Sequence, residues 1–366
     1  MSGPFPIGET KAALDTPALL VNLDVMQANI ARIAETCRRH GVQWRPHIKG
    51  QKTIGIIRKE IEAGAIGVTC AKLGEAEVMA DAGIRSILIA NQIVGAIKVR
   101  RLIDLLDRAE PMVAVDCLGN VSELAEAAAS RGRRLGVVIE VDIGMKRAGV
   151  SPGEAVVALA KAVAERPGLL LRGLAGWESP AVTIADPAKK REAVTTAVAL
   201  LTASADACRK AGHRIDIVSC GGSGTFPYCI EQPGITEVQV GGAIFSDICY
   251  RTKYHLDFPF ALTLLATVTS RPNPTRIVLD AGKKSLSSDT AMPQPIGLPE
   301  IANLRLSAEH MTIELAGPSL EPRVGGQVEI IVGYSDTTVH LHDEIIGIRN
   351  GRVEAVWPIS ARGQSK

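Results

Sequence analysis

The chain has 366 residues, room for one α/β barrel of ~250 residues and a smaller second domain. Hydrophobic residues make up 46% and charged residues 22%, the balance of a globular protein with a sizeable core, and a net charge of +2 points to no polyanionic partner. Aromatic residues, at 3%, cannot supply the stacking platforms of single-stranded nucleic-acid binders, and no stretch nears the ~20 apolar residues of a membrane span.

From about residue 17 to 250, short β-rich runs alternate with longer amphipathic ones. The predicted strands are 42–49, 66–72, 86–91, 111–116, 135–142, 169–178, 216–222 and 237–243. Val25, Ile30, Ile33, Ala34 and Cys37 share a helical face, with Asp24 placed as N-cap, and further helical runs cover 155–164 and 193–207. Eight strands alternating with helices predict a parallel sheet closed into a (β/α)8 TIM-type barrel over 17–258. No GxGxxG opens the first helix, which argues against a doubly wound open sheet. Beyond 258 the runs 261–268, 277–279, 311–315, 328–332 and 345–348 are short and separated by Pro, Gly and charged residues, which predicts a C-terminal β-rich domain over 259–366.

Seven scattered cysteines without a CxxC pair fit reduced thiols in a cytoplasmic protein, as does an N-terminus without a basic segment and apolar run. Cys70, Cys117 and Cys220, in or beside apolar strands, are expected to be buried.

Working residues of a barrel gather at the C-terminal ends of its strands. Two features stand out there. Lys49 closes the first strand in Arg45-Pro46-His47-Ile48-Lys49-Gly50; a lysine can attack an aldehyde when its charge is disfavoured, and Arg45 and Lys52 are near in sequence. Cys220-Gly221-Gly222-Ser223-Gly224-Thr225 and Gly241-Gly242 close strands seven and eight, where barrels frequently bind phosphate. The plain alternatives are a solvated lysine and a tight turn. A lysine facing a phosphate cradle suits a cofactor with both an aldehyde and a phosphate, and pyridoxal 5'-phosphate has both.

On these residues the chain resembles the D-threonine aldolase, D-serine dehydratase and 3-hydroxy-D-aspartate aldolase family, whose barrel is shared with the alanine racemases. Further matching stretches are Asp15-Thr16-Pro17-Ala18-Leu19, Cys70-Ala71-Lys72-Leu73-Gly74-Glu75 and Asp142-Ile143-Gly144-Met145-Lys146-Arg147-Ala148-Gly149. Thr236-Glu237-Val238-Gln239, Leu279-Asp280-Ala281-Gly282 and Val356-Trp357-Pro358-Ile359-Ser360 complete a set that runs nearly end to end. The resemblance implies that Lys49 holds the cofactor as a Schiff base and that Arg147 stands by its phenolic oxygen. It gives the phosphate to Ser223, Gly224, Thr225, Gly241 and Gly242, and places Trp177 against the cofactor, where a tyrosine is usual. It also implies a homodimer acting on a small amino acid, with the N-terminal strand, 1–16, joined to the β domain.

Three positions depart from the family. Its aldolases carry a His-x-Asp pair that binds a divalent metal, manganese or magnesium, whereas here Tyr334 stands at the histidine position and Asp336 keeps the carboxylate. Tyrosine is a poor ligand at neutral pH because its phenol titrates near ~10. On a strand, alternation would place His340 on the face of Asp336 as a substitute ligand. Gln51 and Trp177 replace a histidine and a tyrosine, respectively.

The expected activity is retro-aldol cleavage of a D-β-hydroxy amino acid, of D-threonine or 3-hydroxy-D-aspartate type, to glycine and an aldehyde. A racemase or D-serine-type dehydratase using Tyr334 as acid and base is the alternative. A non-catalytic pyridoxal-phosphate-binding protein is more remote, because such barrels lack a β domain.

Overall fold

A computed structural model describes residues 7–366. They form two compact units, one of residues 31–241 with 363–366, the other of residues up to 30 with 242–362.

The strands of the first unit are Gln43–Trp44, Val68–Cys70, Ser86–Gln92, Glu110–Val115, Leu135–Val141, Leu169–Gly176, Ile217–Cys220 and Glu237–Val238. All pair in parallel, in the order first, eighth, seventh and so on down to second. The first strand also meets the second. Ile66 N–H donates to Trp44 O at 2.9 Å, Thr69 N–H to Pro46 O at 2.8 Å, and His47 bridges Thr69. The eight-stranded barrel expected from the sequence is thereby closed. Its first strand is shorter than the run 42–49 because Pro46 has no N–H to continue the ladder, and residues Ile48–Gly50 turn into a 3-10 helix.

Leu88, Met112, Ala114, Val138, Ala175 and Ile217 form one cluster, contributed by strands three to seven. Their strand neighbours Ile87, Ile89, Val113, Val137 and Ile139 are also fully buried, as in strands covered on both faces. Burying each such side chain contributes roughly 1.5–3 kcal/mol. The run 155–164 is the helix Glu154–Ala164, and 193–207 lies inside Pro187–Lys210, which Asp186 caps by accepting Lys189 N–H at 2.9 Å. The helix predicted around Val25 spans Leu23–His40. Its cap is Asn22, whose Oδ1 accepts Val25 N–H at 3.1 Å; Asp24 lies inside the first turn and pairs with Arg349 instead. Cys117 is exposed, contrary to expectation, because the chain has left the fourth strand by then; the other six thiols are buried.

The second unit holds a nine-stranded sheet. Leu262–Ser270, Arg276–Leu279, Met311–Leu315, Gln327–Ile331 and Glu344–Arg349 correspond to the five predicted runs. Ala18–Asn22 pairs antiparallel with Leu262–Ser270 and parallel with Glu344–Arg349, and Thr10 bridges Arg352. Within 1–16, residues 8–10 pair with this unit, Gly8 N–H donating to Val353 O and Val353 N–H to Glu9 O, a longer strand follows at 18–22, and residues 1–6 fall outside the described ones. Leu14, Ala18, Leu20, Leu265, Ile346, Ile348 and Val353 make its core. Residues Ser335–Val339, read as strand from their alternation, form a short α-helix. A side chain distant in sequence starts the turn: Asp247 Oδ2 accepts Ser335 N–H at 2.7 Å, and Thr338 N–H turns back to Tyr334 O at 3.1 Å.

Candidate active site

Lys49 projects from the 3-10 turn that ends the first strand and is exposed. Its Nζ lies 5.7 Å from the centre of the Trp177 ring, at the end of the sixth strand, and the guanidinium of Arg147 lies 5.5 Å from the same ring. Arg147 is held in the loop after the fifth strand. Asp142 Oδ1 braces that loop by accepting the N–H groups of Gly144 and Lys146 at 3.0 and 2.9 Å, which holds its carboxyl below the usual range. Glu140, 3.9 Å from Arg147, is raised by burial and also accepts from Gln92. One indole thus gathers two cations predicted from separate strand ends.

The two cations expected beside Lys49 are each paired with a buried carboxylate. Arg45 donates to both oxygens of buried Glu237 at 3.1 Å and to Ser86, and Lys52 is paired with buried Glu75. The imidazole of His47 is held well below its usual pKa by burial, then by the charges of Lys49 and Lys52. It is neutral at pH 7, and its Nδ1 has no partner. Gln51 donates to Glu60 at 2.8 Å, and burial pushes the Glu60 carboxyl well up.

The glycine turn comes against the same indole: a Cβ added to Gly222 would stand 3.2 Å from Trp177 Nε1. Gly221 adopts φ +77°, and a Cβ on Gly241 would stand 2.1 Å from His47 O, so the end of the eighth strand can approach the lysine turn only as glycine. Among the described residues, the amides of Gly222, Gly224 and Gly241 have no intramolecular partner. Such a row of amides suits a phosphate. Thr225 is fully buried, with its hydroxyl donated to Glu178 and its amide to Gly222 O, so it supports the turn from behind. A pyridoxal phosphate group fits these residues: a lysine, a facing cation, a flat wall and an amide cradle.

The second unit carries its own cluster. Tyr334 donates to Asp336 Oδ2 at 3.1 Å and Tyr250 to Oδ1 at 3.4 Å, while Tyr254 stands edge-on to Tyr250 at 5.3 Å. Burial, then the charge of Asp336, pushes the Tyr334 phenol far up. Asp247 ties the cluster together by accepting Tyr250 N–H and Ser335 N–H, and burial pushes it up to about 7. A Cβ on Gly242 would meet Tyr250 Oη at 2.2 Å. Reading the sequence did not find Tyr250 and Tyr254; their four-residue spacing was the available signal, but it is equally that of a helix packing on a core.

A divalent metal does not fit this donor set. A phenol stands where the histidine is needed, and both Asp336 oxygens accept phenolic hydrogens. His340 is exposed at the end of the helix Ser335–Val339, and half-buried His342 bonds Ser285 O at 2.8 Å. Among the described residues, the grouping of His, Cys, Asp and Glu with ligand atoms within 4.8 Å of one another is Glu178, Cys220 and Cys229, and it excludes Asp336.

Residues 21–248 match the family model of the alanine racemase N-terminal domain, and residues 261–348 match a serine dehydratase domain. The chain is 32% identical to a D-threonine aldolase of Arthrobacter sp., over 99% of this chain and 97% of that one. It is 33% identical to a 3-hydroxy-D-aspartate aldolase of Paracoccus denitrificans, over 98% and 94%. The crystal structure of D-threonine aldolase from Filomicrobium marinum superposes with a TM-score of 0.94 at 34% identity, covering 99% of each chain.

Proposed function

Because this chain belongs to the family of D-threonine and 3-hydroxy-D-aspartate aldolases built on the alanine racemase barrel, we propose that it cleaves a D-β-hydroxy amino acid to glycine and an aldehyde. The observation that carries the reading is the Trp177 ring, with Lys49 and Arg147 within 6 Å of its centre and Gly222 against its indole nitrogen. Bound pyridoxal phosphate supplies the electron sink for the pair left on Cα when Cα–Cβ breaks. Lys49 would carry the cofactor, and Arg147 would supply positive charge beside it. Ser223, Gly224, Gly241 and Gly242, with the amide of Gly222, would hold the phosphate, Thr225 would support their turn, and Trp177 would lie against the ring. Tyr334 is the proposed acid and base: its hydrogen bond to Asp336 Oδ2 aligns a relay in which a proton taken up at Oη is matched by release of its own to the carboxylate. No step is assigned to a divalent cation, to Asp336 as its ligand or to His340. The reading includes a homodimer, as the resemblance implies, and a cytoplasmic location, where the seven free cysteines would stay reduced.

Tyr334 also favours a second reading. A phenol that moved a proton at Cα instead would make the enzyme a racemase or, with loss of the β-hydroxyl, a dehydratase, and the domain matched at 261–348 is named for a serine dehydratase. Proton NMR in D2O with the cofactor-loaded protein and a panel of D- and L-β-hydroxy amino acids plus D-alanine separates these. Glycine with an aldehyde supports the lyase. Loss of the α-proton signal without glycine overturns it in favour of a racemase, and accumulation of a keto acid in favour of a dehydratase.

A further inference from the structure

Glu178, at the end of the sixth strand, is fully buried, and no step above uses it. A buried carboxylate is costly unless donors surround it. Three do: Gly221 N–H at 3.3 Å on one oxygen, the Thr225 hydroxyl at close range on the other, and the thiol of Cys229. Gly221 opens the glycine turn, Thr225 closes it, and Cys229 ends the helix Phe226–Cys229 behind it. The carboxylate therefore grips both ends of the turn 221–225. Between those ends, the amides of Gly222 and Gly224 have no intramolecular partner among the described residues.

This grouping with Cys220 and Cys229 has ligand spacing for a soft metal, but its atoms are already engaged. Burial, then the hydrogen bond with Cys220 and the charge of Glu178, pushes the Cys229 thiol well above its usual range, so it stays a donor. A negative charge behind a phosphate cradle also repels the anion, so a compensating role is called for.

We propose that Glu178 is a positioning residue that clamps the two ends of the turn, presents the Gly222 and Gly224 amides to a phosphate monoester, and so sets the preference for phosphorylated over unphosphorylated pyridoxal. The proposal rests on the cofactor reading above. It is tested by the dissociation constants of pyridoxal phosphate and of pyridoxal for the full chain, read from the shift in cofactor absorbance. Glu178→Gln keeps the volume but cannot accept from both ends of the turn. It should weaken pyridoxal phosphate about 10- to 100-fold and pyridoxal less than about threefold. Thr225→Val, which removes one of the gripped donors and keeps the shape, should show the same selective loss and serves if Glu178→Gln does not fold. Equal weakening of both ligands, or no weakening of either, overturns the positioning role. Failure of the unaltered chain to bind either ligand would instead remove the cofactor reading itself.

Discussion

Tyr334 decides what Asp336 is for. With a phenol donating to one carboxylate oxygen and Tyr250 to the other, Asp336 is arranged to receive a proton rather than to hold a cation. Tyr334→Phe should lower turnover by about 10²- to 10⁴-fold while the cofactor absorbance stays; unchanged turnover would remove Tyr334 from the relay. Tyr334→His restores an imidazole beside the carboxylate and should bind manganese by electron paramagnetic resonance, where the unaltered chain leaves the free-ion signal unchanged. His47 gives a pH dependence. Its folded pKa is depressed from 6.5 by burial and by Lys49 and Lys52, so the unfolded chain takes up the proton first as the pH falls. Stability contributed by the neutral imidazole is therefore present above pH 6.5 and lost below it. Tm measured between pH 8 and 5 should fall on the acid side, and His47→Gln should flatten that limb.

At the scale of elements, the lysine and the glycine turns were legible because each follows an apolar run long enough to be a strand, and strand ends are where a barrel works. Pro46, which has no N–H for the ladder, lies inside the predicted run 42–49, so that run overstates the strand, which is Gln43–Trp44. The helix Ser335–Val339 was not legible. Its residues, Ser-Asp-Thr-Thr-Val, carry no helical apolar pattern, and the side chain that starts the helix, Asp247, lies far back in the sequence. The ion pairs of Arg45 with Glu237 and Lys52 with Glu75 were hidden for the same reason, since partners distant in sequence decide whether a cation near Lys49 counts as charge. The approach of the eighth strand to the lysine turn has a strict requirement. Gly241→Ala would set a Cβ 2.1 Å from His47 O, so it should abolish cofactor absorbance or prevent folding of the barrel. Normal cofactor binding by Gly241→Ala would mean that the two strand ends are not held as described.

For the whole molecule, the family resemblance across both units and the family matches at 21–248 and 261–348 agree on one architecture, a closed barrel with a β-rich unit. Within that architecture the resemblance implies three exchanged side chains, at Gln51, Trp177 and Tyr334, beside a kept lysine, arginine and pair of glycine turns. The account depends most on Lys49 being the residue that carries the cofactor. Borohydride reduction of the cofactor-loaded protein, followed by peptide mass mapping, reads this directly. A pyridoxyl mass fixed on Lys49 is the expected result. The same mass on Lys52 or Lys72 with Lys49 unmodified, or no fixed mass at all, would contradict the account.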